Sequence, residues 1–328
     1  MKANRNRDVG LGTLTFWGGA GTVTGSKTLL TTTGGRRLLV DCGLFQGLKE
    51  LRLRNWEDLP LPAVDLEAVL LTHAHLDHCG YLPRLVAQGV RGPVYCTEGT
   101  RRLAEIVLLD SGRLQEEQAE HANRHGYSKH TPALPLYSEE DAKACLPLLS
   151  TVDFDQRVEV LPGVTAVWRR AGHILGAATI KLRLEGHDHS AGYDVVFSGD
   201  LGRSTHPLLL PPEPIGHADL VVTESTYGDE THPPDDAEAA MADAIGAIAE
   251  SDGVLVIPAF SVDRTEVVLW HLDRLVRDGR VPRLPVFLDS PMALRALDVY
   301  EEHAQRGPPR SARPTAASHC SPRSIWSR

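Results

Sequence analysis

The clearest candidates for chemistry are three histidines and one aspartate that stand within six residues of one another. They form the run His73-Ala74-His75-Leu76-Asp77-His78. Imidazole and carboxylate groups are the ligands that zinc and other first-row metals of intermediate softness prefer. A polar loop whose histidines only form hydrogen bonds is the alternative, but this density of ligands favours a metal site. The spacing lets the four side chains surround two neighbouring points, so two metals are predicted.

Three isolated residues elsewhere in the chain have neighbours that fit the same kind of site. His173 lies between glycines in the segment 171–176, and Asp200 follows an apolar strand-like run. Asp41 follows another apolar run, 38–40. Each of these residues has an ordinary structural explanation when taken alone, such as a turn residue for Asp41. They become candidate ligands or ligand supports only together with the histidine run.

The elements that must position these residues are strands followed by loops. A mostly apolar run at 64–71 ends just before the histidine run, as expected of a buried strand that delivers side chains into a loop. Further strands are predicted at 13–17, 26–33, 37–40, 157–160, 165–168, 178–184 and 194–198. Helices are predicted at 80–88, 99–124 and 141–148. Each half therefore combines a sheet with helices, which predicts an α/β sandwich.

The pattern changes near residue 216 to an alternation of strands and helices. The predicted strands are 220–223, 254–257 and 285–288, and the helices are 237–251, 263–278 and the start of one at 290–303. Such alternation is typical of parallel βαβ units and predicts a second α/β module. The segment 306–328 is rich in Arg, Pro and Ser and has no acidic residue, so we expect it to be disordered.

Composition limits the function classes. Of the 328 residues, 42% are hydrophobic and 23% are charged, and the formal net charge is −9. A protein that binds nucleic acid by bulk charge is basic, so any nucleic-acid contact must be local, through metals and a few Arg or Lys residues. The five cysteines form no C-x-x-C pair, which argues against a disulfide framework or a Cys-based zinc site. The chain shows no signal peptide and no membrane span, so a cytoplasmic protein is predicted.

Together these residues resemble the metallo-β-lactamase superfamily. The resemblance lies in the H-x-H-x-D-H run, the earlier Asp at a strand end, the later isolated His and the later Gly-Asp pair. Three further motifs resemble the β-CASP branch of that superfamily, whose members process RNA or repair DNA. They are Glu224-Ser225-Thr226-Tyr227-Gly228, Ile257-Pro258-Ala259-Phe260-Ser261-Val262-Asp263-Arg264 and Asp289-Ser290-Pro291-Met292-Ala293. The resemblance spans roughly residues 10–303 and is strongest to the compact prokaryotic RNA-processing members.

The resemblance implies a fold and a division into domains. The fold is a metallo-β-lactamase αββα sandwich with an inserted α/β β-CASP module that is incomplete at the C-terminus. The metallo-β-lactamase domain would span 1–215 and the partial β-CASP domain 216–305, and the tail would span 306–328.

The resemblance also assigns metal-site roles. His73, His75 and His173 would bind the first metal, Asp77 and His78 would bind the second, and Asp200 would bridge the two. Asp41 would orient the cluster by hydrogen bonding. The implied cofactor is a pair of zinc ions.

Further residues would serve catalysis and substrate binding. Asp77, Asp200 and Glu224 are the implied catalytic carboxylates, with Glu224 supporting the metal-site network rather than acting as a base. Ser225, Arg264 and Ser290 would contact substrate phosphates. Two plainer explanations stay open, because Ser290 could simply start a helix and Arg264 could be a surface residue.

The implied reaction is hydrolysis of phosphodiester bonds in RNA, most simply single-stranded RNA, by a hydroxide that bridges two zinc ions. Family members continue beyond 289–291 with one His for proton transfer and another that completes the second metal site. The later His303 and His319 do not lie in matching motifs. A truncation or a shifted reading frame would explain this, so we expect a chain that binds metal but is weakly active or unstable alone. Loss of the proton donor would cost roughly 10²- to 10⁴-fold in rate.

Two other function classes remain alternatives. A small-molecule metallo-hydrolase, of thioesterase or lactonase type, would share the histidine run but lack a large inserted βαβ module. A non-catalytic metal-binding pseudoenzyme would be expected to lose metal ligands, and the first cluster here is intact. The sequence leaves open exonuclease or endonuclease action, RNA or DNA as substrate, and whether the chain forms a homodimer.

Overall fold

The computed structural model describes residues 6–8, 11–186, 192–231, 236–251 and 253–306. The chain divides into two compact units, Met1–Thr226 and Tyr227–Arg328. The first unit ends beyond position 215, where the sequence pattern placed the boundary. Most of the predicted tail, 307–328, lies outside the described residues. No helix in the described part of the chain is long and apolar enough to cross a membrane.

The first unit contains a seven-stranded sheet whose strands lie side by side in chain order. The first four strands are antiparallel neighbours, and each later strand runs parallel to the one before it. The strands are β1 (Asn6–Asp8), β2 (Gly12–Gly18), β3 (Lys27–Thr32), β4 (Arg37–Val40), β5 (Ala68–Leu70), β6 (Val94–Thr97) and β7 (Leu149–Val152). The parallel arrangement brings the carboxyl ends of β4 and β5 to one edge, where loops can carry functional side chains.

A second, five-stranded sheet follows in the same unit. Its strands are β8 (Val158–Leu161), β9 (Val164–Arg170), β10 (Ala178–Leu184), β11 (Tyr193–Phe197) and β12 (Leu220–Val222). The strands lie in reverse chain order, and all pairs are antiparallel except β11 with β12. The sequence pattern assigned 220–223 to the second module, but β12 pairs with β11 and therefore belongs to the first unit.

The two sheets enclose one apolar core. Strand β9 alternates buried and partly buried residues, as a strand with one face in a core does. Trp168 on β9 is fully buried, and its indole Nε1 donates a hydrogen bond to the Leu71 carbonyl at 3.2 Å. This bond ties the second sheet to the chain that leaves β5. Truncation of such a buried aromatic side chain to alanine costs about 3–5 kcal/mol.

Within the described residues of the first unit, five α-helices accompany these sheets, and residues at both ends of the longest one cap it. They are α1 (Lys49–Leu53), α2 (Leu76–Cys79), α3 (Leu82–Ala87), α4 (Glu98–His125) and α5 (Glu139–Cys145). The Thr97 side chain accepts a hydrogen bond from the Thr100 N–H at the start of α4, and Gly126 ends it in a left-handed conformation. Helix α5 begins with a capping box between Ser138 and Asp141.

The second unit contains helices α6 (Ala237–Ser251), α7 (Arg264–Arg277) and α8 (Pro291–Arg306). A small apolar cluster between α6 and α7 includes Ile245, Leu272 and Leu275. The predicted strands at 254–257 and 285–288 are wrong, because neither segment pairs with a neighbouring strand in the described residues. The residues of 254–257 are exposed, whereas Val286 and Leu288 are partly buried, and Val286 packs against the apolar cluster.

The structure confirms the predicted α/β class. Most predicted elements are present within a few residues of their predicted limits, including β4, β10 and α6 with the same limits. The tail prediction began at residue 306, whereas Arg306 is the last residue of α8.

Candidate metal centre

Two loops that leave the ends of β4 and β5 interlock at the edge of the first sheet. The Cys42 N–H donates to the His78 carbonyl at 2.7 Å, and the Leu44 N–H donates to the Leu76 carbonyl at 2.8 Å. A Cβ atom on Gly43 would lie 1.6 Å from the Asp77 carbonyl oxygen, so only glycine fits there. This close approach fixes the backbone that carries the histidine run.

The run itself is not the continuous loop that the sequence indicated. His73 and His75 lie in the loop after β5, but Asp77 and His78 lie on α2, a single helical turn. His75 is the extended residue that precedes this turn. The change of backbone conformation turns the two pairs of side chains toward different points.

The first group of candidate ligands consists of His73, His75, His173 and Asp200, and one ligand atom from each lies within 4.8 Å of the others. His75 Nδ1 is 3.2 Å from His73 Nε2 and 3.2 Å from His173 Nε2. Asp200 Oδ2 is 3.6 Å from His73 Nε2 and 3.5 Å from His173 Nε2. Zinc–nitrogen bonds of about 2.0–2.1 Å around a tetrahedral ion require nitrogens about 3.3 Å apart. The residues present therefore fit zinc.

The second group lies on the other side of Asp200. His78 Nε2 is 3.2 Å from Asp200 Oδ1 and 3.9 Å from Asp77 Oδ2. The two oxygens of Asp200 thus face different groups, since Oδ2 faces His73 and His173. This is the arrangement that a carboxylate bridging two metals requires.

Asp41 supports this centre through hydrogen bonds to the residues around it. It is buried, and its φ of 59° places it in the left-handed region, which is unusual for a residue other than glycine. Its Oδ1 accepts hydrogen bonds from the N–H and the hydroxyl of Thr72, and its Oδ2 lies 2.7 Å from His78 Nδ1. The Ser26 hydroxyl also donates to Oδ2. A proton on His78 Nδ1 directed at Asp41 leaves Nε2 available to a metal.

Burial and neighbouring charges shift the pKa values of the cluster in different directions. Burial and the three neighbouring histidines hold the pKa of His73 well below its usual value, so His73 is neutral, as a ligand must be. Burial opposes protonation of His78, but the charges and hydrogen bonds of Asp41 and Asp200 raise its pKa well above the usual value. Burial raises the pKa of Asp77.

The pKa of Asp200 shifts in the opposite direction from the pKa of Asp77. Burial favours its protonated form, but hydrogen bonding to His78 and the charges of the surrounding histidines lower its pKa. The centre therefore places an ionised carboxylate between the two groups of ligands.

Glu224 joins the Asp200 loop to the chain after β12. Its Oε1 accepts a hydrogen bond from the Leu201 N–H at 3.1 Å, and its own N–H donates to the Ser198 hydroxyl at 3.1 Å. This supports the structural role predicted for Glu224. Ser225 follows it and lines a cavity of about 490 Å³ that also includes His78 and Asp200.

The other predicted phosphate contacts, Arg264 and Ser290, lie in the second unit. Arg264 is exposed at the first residue of α7. The Ser290 hydroxyl accepts a hydrogen bond from the Ala293 N–H and lies 3.2 Å from the Ser261 hydroxyl. Ser290 therefore caps the start of α8, as its plainer explanation predicted, and its contact with phosphate stays a prediction.

Two residues that form hydrogen bonds to Asp41 were not predicted from the sequence. Thr72 directly precedes His73 and fixes both oxygens of Asp41, and Ser26 donates to the same carboxylate. Thr72 carries a weak signal, since it separates the apolar strand from the first histidine. Ser26 carries no comparable signal in the sequence.

The fold and this centre define a metallo-hydrolase class, and comparison with known proteins agrees. The family model described as "Beta-lactamase superfamily domain" matches residues 36–259. The chain therefore belongs to the β-lactamase superfamily.

The relatives confirm the resemblance to the RNA-processing β-CASP branch. The chain is 37% identical to Ribonuclease TTHA0252 of Thermus thermophilus over 87% of the chain and 59% of that protein. It is 31% identical to Transcription termination factor FttA of Methanocaldococcus jannaschii, over 84% of the chain and 41% of that protein. It is also 27% identical to Cleavage and polyadenylation specificity factor 73 of Drosophila melanogaster, over 87% of the chain and 39% of that protein. The chain thus spans about half the length of these relatives.

Proposed function

We propose that this protein is a metal-dependent ribonuclease that hydrolyses phosphodiester bonds in single-stranded RNA in the cytoplasm. The observation that carries the proposal is the convergence of two ligand groups on the two oxygens of Asp200. The names of the relatives, which include a ribonuclease, support RNA as the substrate.

The residues that would hold two zinc ions are those of the two ligand groups. His73, His75 and His173 would hold one ion, Asp77 and His78 would hold the other, and Asp200 would contact both. When bound, two such ions lower the pKa of a water molecule and neutralise charge on the phosphate oxygens. From the described residues, the second ion would have one nitrogen ligand, whereas the first would have three.

The chain's own residues contribute position and rigidity. Asp41 contacts Nδ1 of His78 and so orients Nε2 toward Asp200. Glu224 accepts a hydrogen bond from the Leu201 N–H and so holds the Asp200 loop next to the chain after β12. Ser225 lies on the wall of the cavity, where its hydroxyl would donate a hydrogen bond to a substrate phosphate. Arg264 and Ser290 are the proposed contacts from the second unit.

The test is a cleavage assay on matched substrates. End-labelled single-stranded RNA, DNA of the same sequence and a thioester would each be incubated with zinc-loaded protein, with its Asp200→Ala variant and with chelator. We expect RNA cleavage by the wild type, and its loss both in the variant and with chelator. Turnover of the thioester without RNA cleavage would instead identify a small-molecule hydrolase. Metal binding without turnover of any substrate would identify a non-catalytic protein.

A further inference from the structure

A glycine-rich loop, residues 19–25, connects β2 to β3 and forms one wall of the cavity that contains His78 and Asp200. Gly19, Gly21 and Gly25 all have positive φ, at 76°, 72° and 82°. The base of this glycine loop is tightly packed, because a Cβ atom on Gly25 would lie 2.5 Å from the ring of Phe45. The tip is open, since nothing lies within 4 Å of a Cβ atom built on Gly21.

The backbone N–H groups of the glycine loop are available to a ligand. Within the described residues, the N–H groups of residues 19–23 donate no hydrogen bond. Positive φ at Gly19 and Gly21 alternates with ordinary φ at Ala20 and Thr22. Successive N–H groups in such alternating conformations form concave surfaces that bind anions. The glycine loop therefore has unused donors in a geometry suited to a phosphate group.

The cavity offers few other partners to a phosphate. Among the described residues that line it there is no Lys or Arg, whereas Asp41, Asp200 and Glu224 bring carboxylates. The nearby ammonium of Lys27 is buried, and it lies 4.6 Å from the centre of the Phe45 ring rather than on the cavity wall. A phosphodiester that enters this cavity therefore needs neutral donors, and the glycine loop on the cavity wall offers its backbone N–H groups.

We propose that the glycine loop binds a phosphate group of the RNA strand beside the metal centre through the backbone N–H groups of residues 19–23. This inference rests on the proposed function, because it takes RNA as the ligand. It adds a subsite that positions the strand next to the metals. The donors are backbone groups, so the subsite binds any nucleotide sequence equally.

The test compares two valine substitutions that introduce the same backbone strain, one in the glycine loop and one in a distant turn of the sequence. Gly21→Val forces a β-branched side chain to φ 72° in the glycine loop, and Gly35→Val does so at φ 79° in the turn between β3 and β4. Neither new Cβ atom meets another atom within 4 Å. Gly21→Asn is the conservative variant, because asparagine tolerates the left-handed region.

The probe is a fluorescein-labelled oligouridylate with phosphorothioate linkages, which resist hydrolysis, and binding to zinc-loaded protein is measured by fluorescence anisotropy. We expect Gly21→Val to weaken binding by about tenfold or more, as loss of charge-assisted hydrogen bonds does. Gly35→Val and Gly21→Asn should bind like the wild type, and all variants should hold equal zinc. With an uncharged methylphosphonate oligouridylate the effect of Gly21→Val should disappear.

The outcomes separate this inference from the proposed function. If the wild type cleaves RNA and Gly21→Val binds the phosphorothioate probe as well as Gly35→Val does, the subsite is refuted and the ribonuclease stands. If Gly21→Val weakens binding of the methylphosphonate probe equally, the loop contacts bases or sugars and the phosphate subsite is refuted. If the wild type neither binds nor cleaves RNA, both proposals fail.

Discussion

At the scale of single residues, the metal centre depends on Asp41 as much as on the ligands. Asp41 contacts Thr72, Ser26 and His78 together, and these contacts determine which nitrogen of His78 would face a metal. Because the ligand geometry is set by these hydrogen bonds, a change at Asp41 should act on metal binding without removing a ligand.

Asp41→Asn tests that role with little change in size. An amide cannot accept hydrogen bonds on both sides, so we expect the zinc affinity to fall by about 10- to 100-fold. Competition against a chromogenic chelator would measure it. The matched control is Asp65→Asn, at an exposed carboxylate paired with Arg37. Equal zinc affinity in the wild type and Asp41→Asn would show that Asp41 does not orient the centre.

Candidate metal ligands could be predicted from the sequence where they lie close together in the chain. The histidine run is informative because metal-binding side chains rarely gather by chance in six residues. His173 and Asp200 needed the family resemblance, since each alone has an ordinary explanation. Thr72 and Ser26 could not be predicted, because their roles are hydrogen bonds to Asp41, which lies 31 and 15 residues away.

At the scale of elements, the two interlocked loops after β4 and β5 position the centre. Gly43→Ala tests their contact, because the new Cβ atom would collide with the Asp77 carbonyl at 1.6 Å. We expect a loss of about 1–3 kcal/mol in the free energy of unfolding and weaker zinc binding. Gly34→Ala is the control, since its Cβ atom meets only the Thr32 hydroxyl at 3.8 Å. Thermal unfolding with and without zinc would measure both effects. Equal stability and equal stabilisation by zinc in the two variants would contradict the proposed role of this contact.

Helix α7 carries a buried carboxyl group whose protonation should govern the stability of the second unit. Glu266 is buried, and neither of its carboxyl oxygens has a hydrogen-bond partner among the described residues. Burial raises its pKa from 4.5 to about 8, with a smaller contribution from Asp263. The folded state therefore holds this proton where the unfolded state releases it. The contribution of Glu266 to stability is fully present below pH 4.5 and is lost as the pH rises to about 8.

Glu266→Gln should remove this pH dependence. We expect hydrogen exchange of the α7 amides to speed up in the wild type between about pH 5 and pH 9, after correction for intrinsic rates, by the equivalent of a few kcal/mol. The glutamine variant should show a much smaller change. Glu250→Gln, at an exposed position of α6, serves as the control and should behave as the wild type. A glutamine variant with the wild-type profile would refute the assignment.

The elements also show where pattern reasoning fails. Helix α6 was predicted with the limits observed, because a helix is stabilised by residues close in sequence. The segments 254–257 and 285–288 have strand composition, yet a strand needs a hydrogen-bonded neighbour, which composition cannot supply. Val254 and Phe287 are 84% and 85% exposed there. Helix α2 was missed because one turn is too short to show a period.

At the scale of the whole molecule, the net charge of −9 limits how the proposed RNA substrate could be bound. Binding should rest on the metals, backbone donors and few cationic side chains, so few counterions are released. We expect the logarithm of the RNA association constant to fall with the logarithm of salt concentration with a slope between about 0 and −2. Anisotropy titrations across a salt series would measure the slope. A slope steeper than about −4 would reveal a basic surface that contradicts this account.

The α/β class and the family could be predicted for the whole chain from local motifs, whereas the division into units could not. Strand β12 lies in the segment where alternation begins, yet its partner is β11 of the preceding sheet. Only the observed hydrogen bonding of β12 to β11 shows that β12 belongs to the first unit rather than the second. The proposed metallo-β-lactamase and β-CASP domains, and the binding of RNA by Arg264, remain predictions at this scale.

The central claim is that the cluster around Asp200 binds metal, and metal analysis of purified protein tests it most directly. Zinc per chain would be measured by inductively coupled plasma mass spectrometry for the wild type, His73→Ala and the control His121→Ala. His121 is an exposed histidine on α4 beside Tyr127, and it belongs to neither ligand group. We predict zinc in the wild type and in His121→Ala, and loss of the first ion in His73→Ala. A wild type without bound metal, or a His73→Ala variant that keeps its full zinc content, would contradict the claim.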